Sequence, residues 1–206
     1  MTSAGMILFN GPNTPFGRMA LASALELGIE VENRVINVFE AAFLDAINPM
    51  RQIPTLVLGD GRALFDSRVI CSYLISLRPQ RCFVGMDEDW DVRTRWSLAL
   101  GLMETAVARV MEMRQPEGER RAAAVRKYDR RMERVVAALE VAADELRGPE
   151  ARIDRLATAV ALEYIDFRLS RGWREHAPKL AGWLEVETSR PCLSVTRPTD
   201  PARNEK

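Results

Sequence analysis

The sequence predicts an α/β domain of order βαβ-α-ββα over residues 1–77, a linker at 78–88 and an all-helical domain over 89–206. Three observations carry this. Up to Leu77 short apolar runs alternate with capped amphipathic stretches, whereas beyond it apolar residues recur only at spacings of three and four. Charge density roughly doubles, from 6 Lys/Arg and 7 Asp/Glu in residues 1–80 to 23 and 22 in the remainder. All 4 tryptophans (Trp90, Trp96, Trp173, Trp183) fall in the second part. The break lies at Leu77-Arg78-Pro79-Gln80-Arg81, where proline disfavours continuing the preceding helix.

In the first part, Met6-Ile7-Leu8-Phe9 reads as a strand followed by a turn-rich stretch from Asn10 to Thr14. Thr14-Pro15 reads as N-cap and first residue of a helix running through Met19, Leu21 and Leu25 to Gly28. Val31, Val35 and Val38 mark a second strand, and the helix between makes the pair parallel. A short helix near Ala41–Ile47 follows. Thr55–Leu58, Gly59-Asp60-Gly61 and Arg62–Phe65 read as a hairpin, and Ser67 as the cap of a helix carrying Ile70, Tyr73 and Leu74.

In the second part, Trp96, Leu100, Met103, Val107 and Val110 form one stripe of a long helix. Val125, Tyr128, Met132, Val135, Leu139, Ala142 and Leu146 continue a heptad until Gly148-Pro149. That pattern suits a coiled coil or, with a neighbour of similar length, packing inside one helical domain. Leu156–Leu169 is apolar nearly all round at its start, which predicts a central helix. Leu180, Trp183 and Leu184 mark a final helix. The proline-rich, charged tail from about Pro191 reads as loose.

Composition narrows the function. Lys/Arg and Asp/Glu balance at 29 each, which gives no pull towards nucleic acid. Seven basic residues between Arg120 and Arg134 are interleaved with acids and lack aromatic spacing, and read as a solvated helix face. No apolar run is long enough to cross a bilayer, and the start has no cationic and apolar leader pattern. Cys71, Cys82 and Cys192 form no C-x-x-C and suit a reducing, cytoplasmic setting. The single histidine, His176, reads as a surface or capping residue and argues against a metal site built on imidazoles. Cys71, among apolar helix neighbours, reads as a packed thiol.

Asn13-Thr14-Pro15-Phe16-Gly17-Arg18 has the form S/T-P-x-x-R, Asn48-Pro49-Met50-Arg51-Gln52-Ile53-Pro54-Thr55-Leu56 the form N-P-x-x-x-V/I-P-x-L, and Phe65-Asp66-Ser67-Arg68-Val69-Ile70 the form E/D-S-x-x-I. In this order and spacing the motifs resemble the cytosolic glutathione S-transferase family, the first of them its bacterial serine/threonine-type members. Tyr164–Arg168 and Pro178–Trp183 look like later helices of the same subgroup. The resemblance implies a thioredoxin-like domain that binds glutathione, a helical domain beside it, and a cytoplasmic homodimer that needs no metal.

It also implies roles, each set against a plainer reading. Thr14 alone is an ordinary helix cap; the resemblance makes its hydroxyl the catalytic donor to the glutathione thiolate, helped by the partial positive charge of the helix N-terminus. The first 72 residues contain no tyrosine, and no cysteine lies near the first turn, so tyrosine- and cysteine-type activation are set aside. Asn13 is a supporting amide. Pro54 alone reads as an ordinary trans proline; the resemblance implies a cis bond that turns the Ile53 backbone towards the cysteinyl part of glutathione. Asp66 and Ser67 alone read as turn and cap; the resemblance gives Ser67 and its helix N-terminus the γ-glutamyl carboxylate, and Asp66 the ammonium. Gln52, with Arg51 as a weaker candidate, would hold the glycyl carboxylate. Phe16, Trp96, Leu100 and Met103 are candidates to line a pocket for an apolar electrophile.

The family usually opens its central helix with a S/T-x-x-D capping box, and here Arg152 and Arg155 hold those positions, which leaves Asp154, shifted by two, as the candidate cap. The function implied is conjugation of glutathione to a small electrophile in detoxification. The alternatives are a glutathione-dependent reductase or isomerase on the same site, and a non-catalytic interaction protein like the stringent-starvation regulators.

Overall fold

The computed structural model describes residues 5–79 and 89–199; most of the predicted 78–88 linker, with Cys82, lies outside the described residues. The chain divides into two compact units, one of Met1–Phe83 with Pro191–Lys206 and one of Val84–Arg190.

In the first unit, β1 (Ile7–Asn10), α1 (Pro15–Glu26), β2 (Glu32–Val35), a single tight turn of helix at Ala42–Ala46, β3 (Thr55–Val57), β4 (Ala63–Leu64) and α2 (Ser67–Ser76) follow the predicted order. The sheet runs β2-β1-β3-β4, with β1 parallel to β2 and antiparallel to β3. Register places Phe9 opposite Thr55 and Leu56 opposite Leu64. Because side chains alternate along a strand, Ile7, Phe9 and Val57 share one face, packed with Ala41, Leu44 and Ile53. Leu8 and Leu56, of opposite parity, are buried on the other face. Met19, Ala20 and Ala24 of α1 and Ile70, Cys71 and Leu74 of α2 are buried, and the two helices pack together with Ser23 Oγ 3.5 Å from Cys71 Sγ.

The tail departs from its reading as loose. Pro191–Ser194 forms a short helix, α8, packed on α1, with Cys192 and Leu193 buried. Arg18 of α1 holds it there, its Nη2 donating to the Leu193 carbonyl at 3.0 Å and its Nε to Thr196 Oγ1 at 3.3 Å. Cys192 Sγ donates to Glu26 Oε2 at 2.9 Å. Two buried apolar side chains and a buried guanidinium outweigh the loose composition around them.

The second unit contains α3 (Trp90–Arg114), α4 (Ala122–Val141), α5 (Ile153–Arg168), α6 (Trp173–His176) and α7 (Pro178–Glu187). Asp89 caps α3 through Oδ1, which accepts from the Asp91 and Val92 N–H groups at 3.0 Å. α5 packs mainly on α3 and is buried almost all round from Ile153 to Ile165, as its uniform apolar start predicts. The heptad packs within this unit, with Leu139 and Leu146 fully buried.

Two sequence readings need correction here. α4 stops at Val141 rather than running on to Gly148, because the chain tightens into i to i+3 turns, Ala143 N–H to Glu140 C=O and Glu145 N–H to Ala142 C=O. Those turns turn the Glu140 carboxylate onto the Lys179 and Leu180 N–H groups that open α7 and give the Leu146 carbonyl to Trp183 Nε1. Asp154 does not cap α5: Arg152 occupies the N-cap position, and Asp154 is fully buried inside the first turn. Its carboxylate accepts from Arg95 Nε at 2.8 Å and Arg152 Nη2 at 2.5 Å, while Arg95 also bonds Glu145. Arg155 pairs with buried Glu187 and donates to the Gly148 and Glu150 carbonyls. Buried ion pairs thus stand where a S/T-x-x-D capping box would serve.

Candidate functional site

Strand register brings three segments to one end of the sheet. β1 ends at Asn10 and leads into the loop before Thr14; β3, antiparallel to it, begins at Thr55 directly after Ile53-Pro54; β4 pairs back on β3 and leads into Asp66-Ser67. The first two segments touch: a Cβ placed on Gly11 would lie 2.7 Å from Ile53 Cδ1.

Thr14 occupies the N-cap position of α1, with extended backbone and Pro15 following, as its sequence predicts. Its hydroxyl makes no capping bond, and among the described residues it has no hydrogen-bond partner. The donor is therefore available, half-buried, beside the unpaired N–H groups of the first turn. Asn13 Oδ1 is buried and likewise lacks a donor among the described residues. A buried acceptor without a partner costs about 1–3 kcal/mol, so a ligand that supplies an N–H or S–H recovers that cost.

The Ile53–Pro54 bond is cis, as the resemblance implies. The approach to it is pinned by fully buried Asn48, whose Nδ2 donates to the Gln52 carbonyl at 3.1 Å and to Thr55 Oγ1 at 2.9 Å. Thr55 Oγ1 in turn donates to the Gln52 carbonyl at 2.8 Å. Gln52 is exposed and its side-chain amide has no partner among the described residues. Arg51 departs from its weaker assignment, since its guanidinium is paired with Asp45 on the surface and its φ is +46°. That pairing holds Asp45 below the usual carboxylate range through the hydrogen bond from Arg51.

At α2 the cap is Asp66, not Ser67. Asp66 Oδ1 accepts from the Arg68 N–H at 2.9 Å, and Ser67 is the first helical residue. One Asp66 oxygen is thereby committed, while the carboxylate as a whole stays exposed. Ser67 is buried, and its hydroxyl has no partner among the described residues.

Sequence reasoning passed over Asn10, which holds the first loop. It is 4% exposed; its Oδ1 accepts from the Gly11 N–H at 2.8 Å, and its Nδ2 donates to Asn33 Oδ1 at 3.2 Å. A Cβ on Gly17 would sit 1.6 Å from Asn10 Oδ1, so the amide fits against α1 only because residue 17 has none. An asparagine at a strand end and a glycine early in a helix were the only signals.

The four side chains expected to line a second pocket differ in exposure. Phe16 is half-buried in the first turn of α1. Trp96 is 9% exposed, Leu100 2% and Met103 0%, so the last two pack as core and offer almost no surface to a ligand. Cys71 is fully buried, which pushes its thiol up to about 12, the burial cost outweighing the hydrogen bond with Ser23. His176 is exposed at the end of α6. Among the described residues no cluster of three His, Cys, Asp or Glu is placed to hold a metal, and no helix is long and apolar enough to cross a membrane.

Residues 14–77 match the family profile for the glutathione S-transferase N-terminal domain. The whole chain is similar to YibF of Escherichia coli K12, an uncharacterized GST-like protein, at 26% identity over 201 residues, covering 94% of this chain and 98% of that one. Among solved structures, a glutathione transferase family member from Pseudomonas fluorescens Pf-5 with bound glutathione is 29% identical, with a TM-score of 0.90 over 95% of this chain and 100% of that one. A glutathione S-transferase from Methylobacillus flagellatus KT, also with glutathione bound, is 28% identical, with a TM-score of 0.88 over the same shares. Residues 14–77 thus form a glutathione S-transferase N-terminal domain, and the chain as a whole has the fold of the glutathione S-transferases to which it is similar.

Proposed function

We propose that the chain binds glutathione and activates its thiol for attack on a small apolar electrophile. The observation that carries this is the Thr14 hydroxyl, set at a helix N-cap yet unused by the cap. In this reading Thr14 donates to the glutathione sulfur, and with the helix N-terminus it favours thiolate over thiol. Lowering a thiol from its ordinary value near 8.5 by about two units corresponds to about 2.7 kcal/mol and makes the thiolate dominant at neutral pH. The thiol proton leaves to solvent. The sulfur lone pair forms the new S–C bond, and the electrophile either expels a leaving group with its bonding pair or moves the π pair of an activated double bond onto the activating group and takes a proton from solvent.

The remaining groups hold the tripeptide. The Ile53 N–H and C=O pair with its cysteinyl backbone in the manner of an added strand. Ser67 and the N–H groups opening α2 take the γ-glutamyl carboxylate, and the exposed oxygen of Asp66 takes the ammonium. Gln52 reaches the glycyl carboxylate, and Asn13 Oδ1 accepts from the ligand. The bound glutathione of the two bacterial relatives supports this assignment. Against a reductase acting through Cys71 or Cys192, Cys71 is buried and stays protonated, and Cys192 is buried against Glu26. We read the working form as a cytoplasmic homodimer; the exposed aromatic rings of Phe39 and Phe43 on the first unit support a covered surface there.

The test is conjugation of glutathione to a chlorodinitrobenzene by the wild type, Thr14→Ser and Thr14→Ala. Thr14→Ser retains activity, while Thr14→Ala loses about a hundredfold in kcat/KM, as expected for removing one donor from a developing or resident anion. Undiminished activity in Thr14→Ala would remove the hydroxyl from the mechanism.

A further inference from the structure

The methyl group of Thr14 rests against two buried glycines. A Cβ placed on Gly17 would lie 2.9 Å from Thr14 Cγ2. One placed on Gly11 would lie 3.6 Å from the same carbon and 3.9 Å from Thr14 Cβ. Each side of this seat is backed by a further group: Asn10 Oδ1 would be 1.6 Å from the Gly17 Cβ, and Ile53 Cδ1 2.7 Å from the Gly11 Cβ. Asn10 is itself fixed by its bonds to the Gly11 N–H and to Asn33. The backbone can close this tightly on the Thr14 methyl only because residues 11 and 17 carry no side chain.

Seating the methyl decides where the oxygen points. Thr14 is the N-cap of α1, and Gly17, three positions on, carries an N–H of the kind that an N-cap hydroxyl ordinarily takes. The Thr14 side chain makes no such bond, and its methyl is what lies against Gly17. The two heavy atoms on a threonine Cβ occupy staggered positions about 120° apart, and a β-branched side chain has few rotamers. With the methyl held on the glycine side, the hydroxyl is turned away from the cap.

We infer that Gly11 and Gly17 are positioning residues for the thiol chemistry: they seat the Thr14 methyl and so keep the hydroxyl out of the helix cap and available to the sulfur. The inference rests on the proposed role of Thr14 as donor to glutathione, and gives the methyl of threonine, which serine lacks, a part in that role. A donor already aimed in the free chain loses no rotamer freedom when the thiolate forms.

Thr14→Ser deletes only the methyl. A serine oxygen is spread over about three staggered positions, one of which serves the sulfur, so the bound thiolate is favoured about threefold less. The thiol of bound glutathione, titrated through its ultraviolet thiolate absorbance, should ionise about half a pH unit higher in Thr14→Ser than in the wild type. The variant stays active, because the donor is still present. Thr14→Ala removes the donor as well and should raise the ionisation further still. An unchanged titration in Thr14→Ala would overturn the donor role and the inference with it. A raised titration in Thr14→Ala with Thr14→Ser equal to the wild type would leave the donor in place and overturn the seat alone. A second measurement needs no ligand. Three-bond couplings to the Thr14 methyl in threonine-labelled protein should show one χ1 rotamer in the free wild type. Gly17→Ala, whose Cβ crowds that methyl, should show a mixture. Rotamer averaging in the wild type, or the same single rotamer in Gly17→Ala, would overturn the inference whatever the titrations give.

Discussion

The sheet end of the first unit and the start of α5 in the second treat their polar groups in opposite ways. At the sheet end of the first, the Thr14 and Ser67 hydroxyls, the Gln52 amide and Asn13 Oδ1 have no partners among the described residues. At the start of α5 in the second, Asp154, Arg95, Arg152, Arg155 and Glu187 satisfy one another almost completely. Unpaired groups are costly to a fold and useful to a ligand, whereas mutually paired ones fix geometry and leave nothing over for binding. The unpartnered atoms of the second unit among the described residues, Trp96 Nε1, Thr158 Oγ1 and the Nε of Arg155, are single buried atoms, the last within the ion-pair network itself. The proposed function makes that difference one of role: the groups of the first end would meet a ligand, while those of the second hold a helix.

The comparison breaks most visibly at Asp154. Asp154→Ala leaves Arg95 and Arg152 without their shared buried carboxylate and should cost about 3–5 kcal/mol in denaturant unfolding. A loss below about 1 kcal/mol would show that the network is not structural. Gly17→Ala comes next. Its Cβ would fall 1.6 Å from Asn10 Oδ1, so the amide must give up the Gly11 N–H. The expected cost is about 1–3 kcal/mol by thermal or chemical denaturation, with weakened glutathione binding as the first loop shifts.

The two helix caps sharpen the contrast. Asp66→Ala removes a bond that is made and should cost about 1 kcal/mol. Thr14→Ala removes a hydroxyl that caps nothing and should change stability by no more than about 0.5 kcal/mol. Equal costs would mean that Thr14 serves the fold. The smallest expected effect is at Cys71. Burial raises its thiol to about 12, so protonation persists through neutral and mildly alkaline solution. Alkylation detected by mass spectrometry should reach it only as the protein unfolds, and rapid modification of the native chain would contradict its burial.

Much of this was legible in the sequence, for local reasons. Thr14-Pro15, the hairpin about Gly59-Asp60-Gly61 and the all-round apolar start of α5 each encode their structure within a few residues. The cis proline was accessible only through the family resemblance, since nothing local sets the isomer. What stayed hidden depends on partners distant in the chain. Arg18 reads as part of a motif, yet its role is to fasten Leu193 and Thr196, 175 and 178 residues away. Asn10 needs the missing Cβ of Gly17 and the amide of Asn33. Periodicity carried α4 past its end because Ala142 and Leu146 keep the heptad while their backbone has already tightened into turns. Ser67 was read as the cap because serine suits that position, but Asp66, one residue earlier, makes the bond.

The central claim is that a ligand completes the unpaired groups of the first unit and that Thr14 ionises its thiol. Calorimetric titration of glutathione at neutral pH, in buffers of different ionisation enthalpy, tests both parts at once. The account predicts that the wild type binds and releases close to one proton, and that Thr14→Ala binds without that release. No binding by the wild type at millimolar glutathione, or the same proton release in Thr14→Ala, would contradict it.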